Sequence, residues 1–316
     1  MLKYIVKRLL IAVPVFLGIT ILVYVMSTLM PGDPVRMALQ NPEATAEDIA
    51  RLRAEFGLDR PVIVQYLSWL GGFLSGDMGV SFRTRLSVSD MISVRLGPSL
   101  LLVGSSLLVA LIIAIPLGTL AAYKPYSIWD YAASGLSFFG AATPSFFAGL
   151  VFLYIFSASL GILPIGGMYG ADGVRTLWVS IRHMIMPVTV LMLGQVGSYI
   201  RQVRSSVLEV LEDDYVRTAR SKGLVERQVV LRHALRNALL PIVTLVSMSV
   251  AFLVGGAVVT EQIFSWPGIG SLLIHSVTAR DYPVIMAIAT MIALAVLGAN
   301  ILLDIVYRIL DPRINL

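Results

Sequence analysis

Cysteine is absent from this 316-residue chain, and charged residues are scarce in it. A chain without thiols has no disulfide framework, no cysteine nucleophile and no cysteine-ligated metal site. Charged residues make up 14% of the sequence, whereas soluble globular proteins carry about 25%. Hydrophobic residues make up 57% and occur in long unbroken blocks, which is typical of polytopic membrane proteins rather than soluble domains.

Histidine is scarce as well. The three histidines are His183, His233 and His275, and no two of them have a metal-ligand spacing such as H-E-x-x-H. The sequence therefore predicts no catalytic residue, no metal site and no cofactor site within this chain. A role in transport or as a scaffold is favoured over catalysis.

Long apolar intervals suggest helices that cross a membrane, because a bilayer core about 30 Å thick needs about 20 apolar helical residues. The intervals that lack Asp, Glu, Lys and Arg are Leu9–Gly32, Leu96–Tyr123, Tyr131–Ile155, His183–Ile200, Asn237–Thr260 and Tyr282–Leu303. The fourth interval is the shortest and gives the weakest signal. The pattern predicts an all-α, polytopic membrane protein with six transmembrane helices.

Proline occurs within or at the edges of these intervals. The prolines are Pro14, Pro116, Pro144, Pro187 and Pro241. Proline removes a backbone hydrogen bond and bends a helix, and a membrane tolerates this where neighbouring helices or water satisfy the freed carbonyl groups. The sequence therefore predicts bent helices that can move against one another.

Lys and Arg in the short connections set the orientation of a membrane protein. With the N-terminus inside, the positive residues on the cytoplasmic side are Lys3, Lys7, Arg8, Lys124, those of the segment 201–236, Arg308 and Arg313. The short outer loops carry only Arg175, Arg182 and Arg280, and positives in a segment as long as 33–95 count little. An N-in, C-in topology is predicted. A cleaved signal peptide is disfavoured, since the first apolar run is too long and no A-x-A site follows it.

Residues 33–95 form a long polar segment that the topology places outside. Thr45 suits a helix N-cap, Glu47 and Asp48 suit the first turn, and Gly57 suits the end of that helix. The following apolar and aromatic run either lies on the membrane surface or packs beneath a partner, and a solvated connecting loop is the alternative. A connection this long favours a binding or lid role.

The outer loop Glu261–Pro283 contains a turn signal at Trp266 and the two residues after it. Phe264 and Trp266 suit the aromatic belt at a membrane interface. Glu261 forms a buried polar contact, which is the favoured interpretation, or touches substrate. Contact of these three residues with a substrate or an extracytoplasmic binding protein is therefore an expectation.

The inside segment 205–236 concentrates charge, and its pattern predicts helix, break, helix. One apolar stripe is expected at Leu208, Leu211, Tyr215 and Ala219. Acidic residues Glu212, Asp213 and Asp214 stand at the start of a short helix, and Arg217, Arg220 and Lys222 stand near its end, as the helix dipole favours. Gly223 suits the left-handed residue that follows a helix. A docking helix and a positive anchor at the lipid headgroups both fit these charges, whereas nucleic-acid binding is disfavoured because aromatic platforms are missing.

The sequence RTARSKG followed by RHALRNALLP resembles the EAA loop of binding-protein-dependent ABC importer permeases, in the form found in the peptide, nickel and opine family. Aligned on Gly223, Ala219 and Leu235 also keep the general consensus. Arg217 and Arg236 depart from it, in the manner of first-subunit dipeptide and oligopeptide permeases. MPGDPV, EQIFSWPGIG, RDYPV and DPRI extend the resemblance over the whole chain.

This resemblance implies a type I importer transmembrane fold in a prokaryotic cytoplasmic membrane. It implies an N-terminal transmembrane helix over residues 1–32, an extracytoplasmic segment over 33–95, a permease domain over 95–304 and a cytoplasmic tail over 305–316. The implied ATPase-coupling helix consists of Asp213, Asp214, Tyr215, Arg217, Thr218, Ala219, Arg220, Lys222 and Gly223. The implied partners are a second permease chain, giving a heterodimer, two ATP-binding subunits and an extracytoplasmic solute-binding protein.

No G-x-x-x-x-G-K-[ST] phosphate loop occurs in the sequence, so ATP and Mg²⁺ are expected in the partner subunits. An ion-coupled secondary transporter is the main alternative, but such proteins place charged relay residues within their spans and these spans are nearly bare. Asp304 lies close to the inner end of the sixth span, where pairing with Arg308 at i+4 accounts for it. A membrane enzyme lacks a credible set of catalytic residues, and the transported substrate stays open.

Overall fold

The computed structural model describes residues 2–29, 35, 39, 45–170, 173, 176–249 and 257–310. Within these ranges the regular structure is helical, with one isolated antiparallel bridge between Val80 and Ser87. The all-α class that the sequence predicts is confirmed.

The helices follow one another along the chain with short connections. The first five are α1 (Leu2–Leu29), α2 (Ala46–Glu55), α3 (Val62–Ser75), α4 (Val88–Tyr123) and α5 (Ile128–Ala142). The next are α6 (Ser145–Phe152, continued by π-helical turns over Leu153–Ser159), α7 (Leu177–Leu211), α8 (Asp214–Ser221), α9 (Glu226–Ala238) and α10 (Leu240–Met248). The last are α11 (Val258–Ile263), α12 (Ile269–Ala279) and α13 (Tyr282–Leu310).

Helices α1, α4, α7 and α13 are each long and apolar enough to cross a membrane. The pair α5 and α6 is bent by 98° and the pair α9 and α10 by 46°, and counting each pair as one broken span brings the described spans to six. Six is the number that the apolar intervals predict. The second half of the predicted fifth interval, residues 250–256, lies outside the described residues.

The third predicted span is broken rather than continuous. Thr143 has φ −93° and ψ 114°, an extended conformation, and Pro144 follows it. Proline disfavours helical dihedrals in the residue before it, because its ring clashes with that residue's backbone. The helix therefore stops at Ala142 and restarts at Ser145 in a new direction.

Two predicted boundaries fall inside helices. The boundary at residue 95 lies within α4, which begins at Val88, and the boundary between residues 304 and 305 lies within α13. Apolar length measures only the part of a helix inside the bilayer, whereas backbone hydrogen bonding continues through polar turns such as the one that contains Asp90. Helix α7 extends beyond its predicted interval at both ends for the same reason.

Glycine allows close packing where α5 meets α7. A Cβ atom on Gly140 would lie 2.3 Å from the Leu193 carbonyl oxygen, and one on Gly197 would lie 2.8 Å from the Ser137 Cα atom. The Ser137 hydroxyl donates a hydrogen bond to the Gly197 carbonyl at 3.2 Å. Small residues at such interfaces let helix backbones approach and gain dispersion contacts inside a membrane.

The segment between α1 and α4 folds against the spans and is not a bare loop. The hydroxyls of Thr20 in α1 and Tyr66 in α3 are 2.9 Å apart, and the Tyr24 hydroxyl donates to the Gln65 side-chain oxygen at 3.0 Å. Helix α3 therefore packs on the side of α1. The solvated connecting loop is therefore wrong for α3, whereas contact of this run with a partner or with the membrane surface stays a prediction.

Helix α2 begins at a capping box. Thr45 Oγ1 accepts a hydrogen bond from the Asp48 backbone N–H at 3.2 Å, and Asp48 Oδ2 accepts one from the Thr45 backbone N–H at 3.0 Å. The Thr45 hydroxyl also donates to Asp48 Oδ2 at 2.7 Å. This hydrogen bond, followed by the one from the Thr45 backbone N–H, lowers the pKa of Asp48. Gly57 follows the helix with φ +65°. The predicted start and end of this helix are confirmed.

Asp281 joins the turn that precedes α4 to the last helix. Its carboxylate accepts hydrogen bonds from the Ser81 hydroxyl and from the Phe82 backbone N–H, the latter at 3.0 Å. Asp281 is buried and directly precedes α13. The turn before α4 is therefore fixed to the start of α13.

Candidate functional site: the coupling segment and the Glu261 turn

The segment 205–236, named the coupling segment for its predicted role, is divided between three helices. Glu212 is the C-cap residue of α7, and Asp213 is the N-cap residue of α8 with φ −65° and ψ 146°. The stripe predicted through Leu208, Leu211, Tyr215 and Ala219 is therefore wrong as one helical face, because the chain changes direction at residues 212–213. Spacing alone does not reveal such a break, since residues on both sides favour helix.

The buried face of α8 consists of Val216 and Ala219. Val216 has no exposed surface, and both residues pack with Val229 of α9, while Leu211 of α7 lies against the same cluster. Tyr215, which the stripe placed in the apolar face, is instead 41% exposed. Packing of two apolar side chains holds this short helix, because an isolated helix of such length is unstable.

Polar contacts fix both ends of α8 to α9. The Tyr215 hydroxyl accepts a hydrogen bond from the Asn237 side-chain amide at 2.8 Å. Arg220 pairs with Glu226 at 2.8 Å and donates a further hydrogen bond to the Leu211 carbonyl at 3.3 Å. The hydrogen bond to Glu226 raises the pKa of Arg220. Arg220 therefore stabilises the coupling segment through contacts within its own chain, whereas its charge alone suggested a contact to another protein.

Gly223 ends α8 in the left-handed region, with φ +78°. Its N–H donates to the Arg220 carbonyl at 2.9 Å, and the Lys222 N–H donates to the Thr218 carbonyl at 3.1 Å. Glycine adopts this conformation without the steric strain that a Cβ atom introduces. The role predicted for Gly223 as the residue that closes the helix is confirmed.

The outer face of α8 is charged and accessible. The exposed residues of the predicted coupling helix are Asp213, Asp214, Tyr215, Arg217, Thr218, Arg220, Lys222 and Gly223. The side chains of Asp214 and Arg217 are 99% and 70% exposed and lie 3.7 Å apart. Such an exposed pair contributes little to stability. This face is therefore available for contact with another protein.

Asp130 and Arg204 form an ion pair that sequence reasoning missed. Arg204 in α7 donates two hydrogen bonds to the Asp130 carboxylate of α5, at 2.8 and 3.1 Å. The Tyr126 backbone N–H donates a third at 3.0 Å. Bidentate pairs of this kind fix orientation as well as distance. The available signal was a pair of opposite charges, one just before the third apolar interval and the other just after the fourth.

Glu261 is fully buried and connects three parts of the fold. Its carboxylate accepts hydrogen bonds from the Ser99 hydroxyl of α4 at 2.7 Å and from the Ser271 backbone N–H of α12 at 2.9 Å. The Ser99 hydroxyl in turn accepts the Ile269 N–H at 2.7 Å. A carboxylate is favoured at the start of a helix, where free N–H groups and the helix dipole are positive. In this arrangement Glu261 makes a buried polar contact and has no surface for a ligand.

The glycines of EQIFSWPGIG make room for that carboxylate. A Cβ atom on Gly268 would lie 2.3 Å from the Glu261 carboxylate, and one on Gly270 would lie 2.7 Å from the Val258 Cα atom. The spacing of this sequence therefore follows from a turn folded tightly around one buried acid. The sequence alone does not reveal that these glycines pack against the Glu261 side chain.

Phe264 and Trp266 are core residues, with 1% and 0% of their surface exposed. The Trp266 indole N–H donates to the Pro98 carbonyl at 3.0 Å, and the Phe264 carbonyl accepts the Gly167 N–H at 2.8 Å. Their assignment to an interface belt is wrong, because the turn folds back between α4 and the loop that follows α6. From sequence alone, an aromatic residue near the end of a span can be assigned either to the membrane interface or to the protein core.

We expect Glu261→Gln to lower the stability of the folded chain by about 1–3 kcal/mol, because one buried donor loses a charged acceptor. Thermal unfolding in detergent, followed by tryptophan fluorescence, measures this effect. Glu209→Gln is the matched control, since Glu209 is exposed. Equal unfolding temperatures for the two variants would contradict the assigned role of Glu261.

Comparison with known proteins gives the family. Residues 114–316 match the family described as "Binding-protein-dependent transport system inner membrane component", and residues 1–103 match its companion described as "Binding-prot-dependent transport system membrane comp, N-term". The chain belongs to this family. It is a membrane-spanning permease subunit of a binding-protein-dependent ABC importer, as its resemblance to such permeases predicts.

Three relatives of this permease chain illustrate the range of the similarity. It is 42% identical over 316 residues to the oligopeptide transport system permease protein AppB of Bacillus subtilis (strain 168), with 100% of both chains covered. It is 37% identical over 338 residues to the dipeptide transport system permease protein DppB of Escherichia coli (strain K12), covering 100% of this chain and 99% of that one. It is 39% identical over 315 residues to the glutathione transport system permease protein GsiC of Salmonella typhi, with the same shares covered.

Proposed function

We propose that this permease chain forms half of a translocation path for short peptides. The names of its relatives, which refer to oligopeptides, dipeptides and the tripeptide glutathione, support this substrate class. A second, similar permease chain forms the other half, and an extracytoplasmic solute-binding protein delivers the peptide. The assembly lies in the cytoplasmic membrane of a prokaryote with both termini of this chain inside.

An ATP-binding subunit docks on α8 in this proposal. The observation that carries it is the geometry of α8: a short helix fixed to α7 and α9 by its buried face and exposed along a charged outer face. ATP and Mg²⁺ bind in that partner, because the chain has no phosphate-binding loop. The Arg220–Glu226 and Tyr215–Asn237 contacts transmit movement of the docked helix to α9. Helix α9 transmits it to the span that follows.

Reversing the charge of Arg217 tests this docking. We expect Arg217→Glu to lower the amount of ATP-binding subunit that co-purifies with the permease by about tenfold, as loss of a charge pair across an interface does. Peptide uptake by cells should fall with it, while the amount of inserted permease stays unchanged.

Arg53→Glu is the control for this test, because it makes the same charge change on α2, which the proposed topology places outside. It should leave co-purification at the wild-type level. Wild-type co-purification with Arg217→Glu would exclude Arg217 from the interface. An effect of equal size in both variants would attribute the loss to net charge rather than to docking.

A further inference from the structure

The extracytoplasmic segment, together with Tyr24 of α1 and the start of α13, lines a half-open cleft that has no role in the proposed coupling. It has a volume of about 540 Å³ and lies between the end of α2, helix α3, the turn after α3 and the start of α13. Small-molecule sites typically measure about 300–1,000 Å³. The cleft is therefore large enough for a short peptide and not for a folded domain.

Four aromatic side chains line the cleft: Tyr24, Phe56, Trp69 and Phe82. Phe56 and Phe82 stack with their ring centres 4.3 Å apart, and the Tyr24 and Trp69 ring centres lie 5.9 Å apart. Aromatic faces bind apolar side chains of many shapes and also attract ammonium groups. They suit a ligand whose side chains vary.

Charged groups of both signs also line the cleft. Glu55 and Arg60 are exposed, and neither side chain has a hydrogen bond or an ion pair with any other described residue. The Arg85 guanidinium lies over the Phe56 ring at 4.9 Å, and Asp77 has one carboxylate oxygen accepting the Gly79 N–H at 2.9 Å. An acid and a guanidinium that line the same cleft, without a partner among the described residues, match a ligand that carries an ammonium at one end and a carboxylate at the other.

The walls of the cleft are held in place without a ligand. The Gln65 side-chain amide donates to the Arg60 carbonyl at 2.7 Å, and its oxygen accepts the Tyr24 hydroxyl at 3.0 Å. Asp281 fixes the opposite turn through the Phe82 N–H. Preorganised walls lower the entropy that binding costs. The cleft is thus a built feature of the segment, joined to the last span through Pro283 and Met286.

We propose that this cleft binds a short free peptide through both of its charged termini. The Arg60 guanidinium holds the carboxylate, the Glu55 carboxylate holds the ammonium, and the aromatic walls receive the side chains. The substrate class and the outer location rest on the proposed function, in which the C-terminal end of α1 lies outside. The cleft then provides a peptide site on the permease itself, beside the path and distinct from the solute-binding protein.

The probe is the dipeptide Ala-Phe. The sample is the complete complex of permease and ATP-binding subunits in phosphatidylcholine nanodiscs. Neither ATP nor solute-binding protein is added. Equilibrium dialysis measures the bound radiolabelled peptide. We expect saturable binding that Arg60→Gln and Glu55→Gln each weaken about tenfold, as loss of one charge-assisted contact does. The N-acetylated, C-amidated peptide should bind at least tenfold more weakly than Ala-Phe.

The controls are Asp59→Asn and Arg51→Gln, which remove exposed charges that do not line the cleft and should leave binding unchanged. Absence of binding, or binding that the Arg60 and Glu55 variants leave intact, overturns the inference. The inference is also overturned if these variants leave peptide binding intact and change only the stimulation of ATP hydrolysis by the solute-binding protein. The cleft is then a surface on which that protein docks. Peptide uptake by wild-type proteoliposomes separates the two proposals: uptake without cleft binding overturns the cleft alone, and cleft binding without uptake overturns the transport of peptides.

Discussion

Gly140→Ala is expected to prevent correct packing of the membrane bundle and to abolish transport. The added methyl group would lie 2.3 Å from the Leu193 carbonyl oxygen, a distance that no side-chain rotation relieves because the opposing atom is backbone. Overpacking in a well-packed core costs about 1–3 kcal/mol and sometimes more. Here the only relief is to move α5 away from α7, which also breaks the Ser137 contact with the Gly197 carbonyl. The yield of monodisperse protein in size-exclusion chromatography measures the effect.

Glycines on the same helices supply matched controls. A methyl group placed on Gly135 of α5 or on Gly194 of α7 would have no atom of the described residues within 4 Å. Alanine at either position should therefore fold as well as glycine or better, given its higher helix propensity. Gly197→Ala should behave like Gly140→Ala, since it meets the Ser137 backbone from the other side. Normal yield for Gly140→Ala, or equal losses for all four variants, would contradict close packing as the reason for these glycines.

The fold class could be predicted because long uncharged intervals have few other physical solutions. A chain with such intervals buries them in a bilayer, and the bilayer forces helices on them. The same argument fails at Thr143, which has an extended backbone conformation and so divides one apolar run into two helices. The two helices are bent by 98° relative to each other. It fails also at the helix ends, because hydrophobicity says nothing of polar turns that continue a helix into water.

The coupling segment could be predicted in part. Gly223 and the acidic start of α8 are local signals, and local signals depend on the backbone of a few neighbouring residues. The pairing of Arg220 with Glu226, of Tyr215 with Asn237 and of Glu261 with Ser99 depends on how distant parts of the chain meet. No local pattern contains that information. An exposed arginine and an arginine held by its own chain therefore look the same in a sequence.

Gly223→Val is expected to uncouple transport from ATP hydrolysis while the chain still inserts and folds. Within the described part of the chain, no atom lies within 4 Å of a methyl group placed on Gly223, so the change causes no clash with those residues. Its effect comes from φ +78°, a conformation that costs a non-glycine residue roughly 1–2 kcal/mol and is least accessible to β-branched ones. The turn between α8 and α9 then shifts, and the Arg220–Glu226 pair that spans it loses its geometry.

Gly223→Asn separates conformation from side-chain size, because asparagine tolerates the left-handed region better than other non-glycine residues. The asparagine variant should keep most peptide uptake, whereas the valine variant should lose it and should hydrolyse ATP at a rate that substrate and binding protein no longer raise. Reconstituted complexes allow both rates to be measured on the same sample. Wild-type uptake by both variants would show that the left-handed turn is not needed for coupling. A defect in both, with normal insertion, would point instead to the space beside Gly223, where a partner subunit approaches the backbone too closely for any side chain.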